Sequence, residues 1–231
     1  MKALEPGADW AFVFPSGMAA LCTLVHACCF QPLTPGGERR DVIIHSFPLY
    51  GGTHALLHNI VQRWGFTNVE VDFRDHAALR DALREYGDRV GLVFCETPAN
   101  PTLVMIDIAR VREIMDEVAQ DRRRPPLAVD NTFMGIFQSP LMLGADICVY
   151  SATKFLGGHS DLIAGFLVGK SGPTTLVKPF VGDVTEAPLM NAVLGQRTIG
   201  GYTTASDVAQ RLWTHMETYV LRMCRQAEVA T

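Results

Sequence analysis

The sequence predicts an α/β fold in which a mostly parallel β-sheet is covered by helices on both faces. From residue 41 onward, short β-branched runs alternate with longer amphipathic segments, as in strand–helix–strand units. The predicted strands are almost wholly apolar, which is typical of strands buried on both faces. With 231 residues, 48% hydrophobic and 19% charged, the chain is long enough for one large domain, which we expect over 1–231.

The elements are predicted from apolar periodicity and from the residues that start and stop helices. Ser16 precedes the first helix, Gly65 follows the second and Gly87 ends the third. The stretch 170–205 is rich in Gly, Pro and Thr and predicts an irregular connection. The predicted strands are 42–45, 68–71, 90–95, 127–129, 147–150 and 163–168. The predicted helices are 18–30, 53–63, 75–86, 106–120 and a long helix over 206–229.

Composition and charge argue against several classes of protein. The formal net charge is -4, and the densest basic run, 122–124, is followed at once by two prolines, so we expect no nucleic-acid partner. No apolar stretch is long enough to span a bilayer and the first residues lack a secretion pattern, so we expect a cytoplasmic protein without membrane contact. The six cysteines have no metal-ligand spacing, which predicts reduced packing residues and no metal site.

The segment 151–161, S-A-T-K-F-L-G-G-H-S-D, carries the strongest chemical signal. In parallel sheets ligands bind where loops leave the carboxyl ends of the strands, and Lys154 follows a predicted strand directly. We expect burial to lower its pKa, since a neutral amine can attack an aldehyde. The hydroxyls of Ser151 and Thr153 could donate to a phosphate. The alternative is a surface lysine whose stem packs while its ammonium stays in water.

Asp130 is the second candidate, at the end of the predicted strand 127–129. A carboxylate there is costly unless it is paired, and a protonated pyridine nitrogen would be a fitting partner. The alternative is an ordinary capping or loop aspartate.

Three further motifs could contact the same kind of ligand. Ser16, Gly17 and Met18 stand where a loop turns into a helix, whose backbone N–H groups can bind phosphate, although helix capping alone also explains them. Tyr50 precedes a glycine pair, so its ring could stack on a flat heterocycle. Asn100 lies between two prolines and could hydrogen-bond a ring hydroxyl. A core aromatic and a turn asparagine are the alternatives, but all five motifs fit one cofactor.

Taken together, the motifs resemble the Cys/Met-metabolism family of pyridoxal-phosphate enzymes, which includes methionine gamma-lyase, cystathionine gamma-lyase and cystathionine gamma-synthase. The resemblance runs from about residue 12 to 169 and rests on S-G-M-A-A, Y-G-G-T, E-T-P-A-N-P-T, V-D-N-T-F, L-G-A-D and S-A-T-K-F-L-G-G-H-S-D. It implies a fold type I, aspartate-aminotransferase-like large domain, pyridoxal 5'-phosphate as cofactor and a small amino-acid substrate. It also implies a homo-oligomer, either a dimer or a tetramer.

The resemblance also implies roles for individual residues. Lys154 would hold the cofactor as a Schiff base, and Tyr50 would stack on the ring and assist proton transfer at the leaving group. Glu96 would have only a supporting position. The implied cofactor-binding set is Ser16, Gly17, Met18, Tyr50, Asn100, Asp130, Ser151, Thr153 and Lys154, with Lys154 and Tyr50 catalytic.

The implied reaction is elimination from a sulfur-containing amino acid to a 2-oxo acid, ammonia and a thiol. Gly52 stands where methionine gamma-lyases carry a cysteine, which leaves cystathionine open as a substrate. The alternatives are gamma-replacement, or a truncated cofactor-binding remnant, because the family's small C-terminal domain is not seen and Thr214-His215 replace its Arg-Gly. A nucleotide-binding domain lacks support, since no G-x-G-x-x-G follows the first predicted strand.

Overall fold

The computed structural model describes residues 1–29, 40–120, 124–172, 176–177 and 187–230. Two residues of the basic run (122–123), the end of the first predicted helix and parts of the predicted connection (173–175 and 178–186) lie outside this description. The strands are β1 (Trp10–Phe14), β2 (Val42–Ser46), β3 (Thr67–Val71), β4 (Val90–Glu96), β5 (Leu127–Asp130), β6 (Ile147–Ser151), β7 (Gly165–Gly169), β8 (Leu176–Val177) and β9 (Ala187–Pro188). The α-helices are α1 (Gly17–Cys29), α2 (Gly51–Ala55), α3 (His76–Tyr86), α4 (Ile108–Ala119), α5 (Leu189–Ile199), α6 (Ser206–Met216) and α7 (Tyr219–Val229).

Seven of these strands form one sheet in the order β1-β7-β6-β5-β4-β2-β3. The five strands from β3 to β6 in that order pair in parallel, whereas β7 is antiparallel to both β6 and β1. The predicted mostly parallel sheet is therefore confirmed. The carboxyl ends of β4, β5 and β6 all lie at one edge.

Helices cover both faces of the sheet, as predicted. Alternate residues of a strand point to opposite faces, so Val42 and Ile44 pack with α3 and α4, while Ile43 packs with α1. Helices α6 and α7 contribute to the first of these cores and α5 to the second. Helix α3 begins where the Asp75 carboxylate accepts hydrogen bonds from two backbone N–H groups. The structure described contains no helix with the length and apolar character needed to cross a bilayer.

Strand β1 was not predicted, because the strand it pairs with in the described part of the chain is remote in sequence. Residues Trp10 to Phe14 pair with Gly169 to Gly165, an antiparallel register between segments more than 150 residues apart. No local turn signal marks such a pairing. The predicted strand 163–168 is correspondingly shifted, since β7 begins at Gly165 and Ile163 is exposed.

The predictions for the last third of the chain were wrong in two places. Helix α5 lies inside the predicted irregular connection, where Leu189, Ala192 and Val193 are buried at helical spacing. The glycine and proline content of the whole stretch masked this short apolar face. The long helix predicted over 206–229 is two helices, because Thr218, with φ −100° and ψ 1°, interrupts the α-helical hydrogen bonding between α6 and α7.

The predicted helix 53–63 is real but irregular. Helix α2 continues into a π-helical turn, Leu56–Ile60, and then a 3-10 turn, Val61–Trp64. A π-helical turn rotates the following side chains relative to a regular helix, and such turns occur often at functional sites.

Candidate active site

The carboxyl edge of the sheet brings together residues that the sequence keeps far apart. Strand β4 ends at Glu96, β5 at Asp130 and β6 at Ser151. Glu96 and Asp130 are direct partners in the parallel register of β4 and β5. These two residues are called the acid pair below.

The acid pair is held in a desolvated environment. Burial raises the pKa of Asp130, and hydrogen bonds from the Thr132 hydroxyl and N–H partly oppose this shift. Burial, and then the charge of Asp130, raises the pKa of Glu96 to about 7. Among the ion pairs of the described residues, neither carboxylate has a partner. A cationic group at this edge would therefore stabilise the ionised acid pair.

Glu96 does more than the supporting position expected of it. Its Oε2 accepts a hydrogen bond from the Tyr50 N–H at 2.6 Å, and its Oε1 accepts one from the Asn100 N–H at 3.2 Å. One carboxylate thus fixes the loops that carry two predicted ring contacts. Sequence reasoning missed this role because the partners lie on separate loops, although the position of Glu96 at a strand end was a usable signal.

Tyr50 and Asn100 are both on the open side of this edge. The Tyr50 side chain is 44% exposed, and Asn100 is exposed as well. A Cβ at Gly52 would lie 2.5 Å from Cε1 of the Tyr50 ring, so the ring packs directly over this glycine. Both side chains are accessible to a ligand that enters from solvent.

The other half of the edge is built from close backbone approaches. A Cβ on Gly17 would lie 3.0 Å from the Cβ of Ser151, and a Cβ on Gly165 would lie 2.4 Å from the carbonyl oxygen of Ser16. These contacts, called the glycine seam below, bring the start of α1 against the end of β6. Two predicted phosphate contacts, Gly17 and Ser151, are therefore neighbours.

The start of α1 is also an ordinary capped helix end. The Ser16 hydroxyl oxygen accepts a hydrogen bond from the Ala19 N–H at 2.9 Å. Met18 is partly buried against the core beneath. The backbone N–H groups of Gly17 and Met18, in the first turn, are the donors that a phosphate would use.

Thr153 and Lys154 differ from the expectations for them. The Thr153 hydroxyl donates to the Ala164 carbonyl at 3.2 Å and accepts from the Ala164 N–H at 3.1 Å, so its one proton is in use. Lys154 is exposed, so the expectation that it is buried was wrong. The reason is its position on the loop past β6, at the rim of the sheet. An exposed amine at this rim can still be reached by a ligand.

Helix α7 holds the loop that carries Lys154 through side-chain hydrogen bonds. Arg222 donates hydrogen bonds to the carbonyls of Phe155 at 2.7 Å and Leu156 at 3.1 Å, and to the carbonyl of His215 at 3.1 Å. A Cβ on Gly158 would overlap the Arg222 guanidinium, at 1.9 Å from Nη1. Arg222 was not among the predicted site residues, because its contacts are with backbone atoms and no motif marks them.

A buried polar network lies under Asp130. The Tyr150 hydroxyl donates to the Glu5 carboxylate and accepts from the Asn131 amide at 2.8 Å. The carbonyls of Gly135 and Gln138 are also within hydrogen-bond distance of this Asn131 nitrogen, so its two protons are shared among three acceptors. Desolvation raises the pKa values of both Glu5 and Tyr150. This network fixes the residue next to Asp130 and was invisible to sequence reasoning, since Glu5 and Tyr150 are 145 residues apart.

The fold and the site together define an α/β domain whose sheet presents two desolvated carboxylates, a helix N-terminus and an exposed lysine at its carboxyl edge. The chain belongs to the family described as Cys/Met metabolism PLP-dependent enzyme, whose model matches residues 1–231. It is 33% identical over 231 residues to the L-methionine gamma-lyase of Pseudomonas deceptionensis, covering 100% of this chain and 50% of that protein. It is 41% identical over 168 residues to a cystathionine gamma-synthase/O-acetylhomoserine (thiol)-lyase of Bacillus subtilis, covering 72% and 40%.

A solved structure supports the same assignment. Cystathionine gamma-lyase from Lactobacillus plantarum complexed with L-serine superimposes with a TM-score of 0.76 at 30% identity, covering 95% of this chain and 49% of that one. The chain spans about half the length, or less, of the relatives it matches. The names of the matched proteins include both lyases and synthases.

The residues at the carboxyl edge fit pyridoxal phosphate. The acid pair has two desolvated carboxylates and no cationic partner among the described residues, which suits a protonated ring nitrogen. The capped start of α1, closed against Ser151 by the glycine seam, suits a phosphate.

Proposed function

We propose that this chain is the cofactor-binding large domain of a pyridoxal-phosphate-dependent carbon–sulfur lyase, acting on a sulfur-containing amino acid as methionine or cystathionine gamma-lyases do. The reaction is elimination to a 2-oxo acid, ammonia and a thiol. The observation that carries the proposal is that the acid pair and the Lys154 loop follow the neighbouring strands β4, β5 and β6 at one edge.

The chain's own residues would hold the cofactor as follows. Asp130 binds the ring nitrogen, so that the bound cofactor supplies an electron sink for the substrate's Cα. The N–H groups of Gly17 and Met18, with the Ser151 hydroxyl, bind the phosphate. Thr153 joins them only if its hydroxyl turns away from the Ala164 carbonyl.

Lys154 and Tyr50 carry out the proton transfers in this proposal. The Nζ of Lys154 would hold the cofactor covalently and, when free, would accept the proton from the substrate's Cα. The Tyr50 hydroxyl delivers a proton to the departing sulfur. Glu96 orients Tyr50 and Asn100 through the hydrogen bonds from their N–H groups, and the Asn100 amide would hydrogen-bond the cofactor's ring hydroxyl.

Gamma-replacement is the second candidate, and the 41% identity to an enzyme named as a gamma-synthase favours it. A domain that binds the cofactor without turnover of its own is the third candidate. A homo-oligomer and a cytoplasmic location remain predictions from the sequence.

The experiment supplies the purified chain with pyridoxal phosphate and assays 2-oxo acid from methionine, cystathionine and cysteine in turn. The cofactor linkage is then reduced with borohydride and located by mass spectrometry. We expect the label on Lys154 and 2-oxo acid from at least one substrate. Lys154→Ala should abolish both, whereas the matched control Lys2→Ala should keep both.

The outcomes separate the three candidates. Label on Lys154 with 2-oxo acid supports the lyase, and label with cystathionine made only from O-acetylhomoserine and cysteine supports replacement. A label on Lys154 without either product supports a domain that binds the cofactor without turnover. Turnover and a reducible linkage in Lys154→Ala would overturn the assignment of Lys154.

A further inference from the structure

Four polar side chains gather at the β2–β3 margin of the sheet. This histidine cluster consists of His45, His54, His58 and Glu70. His45 and Glu70 are register partners on the neighbouring parallel strands β2 and β3, so their side chains lie on the same face. His54 on α2 and His58 on the following π-helical turn are four residues apart and stack with ring centroids 4.2 Å apart.

His45 anchors the histidine cluster from inside the protein. Its side chain is 0% exposed, and its Nδ1 lies 3.1 Å from the Ser46 carbonyl oxygen. A carbonyl can only accept, so Nδ1 carries the proton and Nε2 keeps a lone pair. This Nε2 is buried and has no hydrogen-bond partner among the described residues. A buried acceptor without a partner is costly, which points to a ligand at this atom.

The distances within the histidine cluster fit an ion better than hydrogen bonds. Ligand atoms of His45, His58 and Glu70 all lie within 4.8 Å of one another. The His58 Nε2 to Glu70 Oε2 distance is 3.9 Å, and His58 Nε2 is also buried without a hydrogen-bond partner in the part of the chain described. This distance is too long for a hydrogen bond. Two ligands bound to one tetrahedral ion at about 2.1 Å are about 3.4 Å apart, so small side-chain shifts would close the site.

We propose that His45, His58 and Glu70 bind one divalent transition-metal ion. Two imidazoles and one carboxylate form a zinc ligand set that leaves the fourth position to water. Magnesium and calcium prefer oxygen ligands alone and fit this set poorly.

A contact from outside the proposed ligand set supports the same geometry. The Ser46 carbonyl accepts from His45 Nδ1–H and orients the ring, as outer contacts of metal-bound histidines do. An ion here would cross-link β2, β3 and the π-helical turn. The cysteine pattern predicted no metal site, and this proposal rests on two histidines and one glutamate from three separate elements.

The test uses the full chain without a histidine tag, stripped with a chelator and titrated with Zn²⁺ against a chromophoric competitor. We expect one ion per chain and a higher melting temperature with Zn²⁺, both with and without pyridoxal phosphate. His58→Ala and Glu70→Gln should each weaken binding by more than about 100-fold, since loss of even an orienting residue costs about 10–100-fold. The control His76→Ala, on α3, should bind as the parent does.

Cobalt provides a second measurement that does not depend on the variants. Co²⁺ added to the parent chain should give the visible absorption of a four-coordinate nitrogen–oxygen site, and one equivalent of Zn²⁺ should remove it. His58→Ala and Glu70→Gln are partly exposed positions, and their folding is checked by circular dichroism. Absence of stoichiometric binding, or binding retained in both folded variants, would overturn the proposal. Because it does not involve Lys154, its failure leaves the proposed function untouched.

Discussion

The two halves of the carboxyl edge are built on different principles. The glycine seam around Gly17 and Gly165 is a contact of backbone atoms, so its geometry depends on small residues and not on charge. The acid pair depends on buried carboxylates whose pKa values are raised, so its state changes with pH and with any cation that binds. The comparison shows that one half is fixed by packing before a ligand arrives, while the other responds to it.

The largest effect should come from filling the glycine seam. In Gly165→Ala the new Cβ would lie 2.4 Å from the Ser16 carbonyl oxygen and 2.6 Å from the Gly17 nitrogen, neither of which is a flexible side-chain end. We expect the free energy of unfolding to fall by about 3 kcal/mol. Urea unfolding measures it. The control Gly195→Ala has open space around its new Cβ and lies inside α5, so it should gain roughly 0.5–1 kcal/mol. A loss below about 1 kcal/mol in Gly165→Ala would show that the seam is soft.

A pH-dependent effect should come from the acid pair. The folded pKa of Glu96 is about 7, above its ordinary 4.5, so between these values the folded chain keeps a proton that the unfolded chain has released. The free energy of unfolding therefore falls as the pH rises from about 4.5 to about 7, by on the order of 3 kcal/mol. Glu96→Gln should remove this part of the decline.

The measurement for the acid pair is urea unfolding of the cofactor-free parent and Glu96→Gln at several pH values. The difference between the two curves isolates Glu96 from Asp130, whose raised pKa has the same sign. If the free energies of unfolding of the parent and Glu96→Gln fall in parallel between about pH 4.5 and about pH 7, the raised pKa of Glu96 would be contradicted. Added pyridoxal phosphate should flatten the parent's curve, because a nearby cation lowers the pKa of both carboxyls.

A smaller effect should come from the fastening of the Lys154 loop. Arg222→Ala removes hydrogen bonds to the carbonyls of Phe155 and Leu156, and we expect a loss of roughly 2 kcal/mol. The matched control is Arg225→Ala on the same helix, whose exposed pair with Glu228 should contribute less than about 0.5 kcal/mol. Thermal unfolding of both variants measures these two losses of stability. Equal losses would mean that Arg222 acts as an ordinary surface residue.

Sequence reasoning worked where a local pattern determines the structure. The apolar runs predict β2, β4 and β6, and the motifs at Asp130 and Ser151 lie at one edge of the sheet because parallel strands share one direction. Sequence reasoning failed where a residue's partner is remote in sequence, or where the tertiary environment determines whether a side chain is buried. The pairing of β1 with β7, the link from Glu5 to Tyr150 and the exposure of Lys154 all depend on tertiary contacts that no short window contains.

The antiparallel position of β7 between β6 and β1 also determines the order in which parts of the sheet can form during synthesis. Trp10 pairs with Gly169, so β1 leaves the ribosome 159 residues before its partner exists. At a translation rate of roughly 5–20 residues per second, that strand stays without its neighbour for about 8–30 s. The parallel strands β2 to β6 emerge in the meantime. The glycine seam can close only in the last stage of this sequence, after β7, which begins at Gly165, has been made.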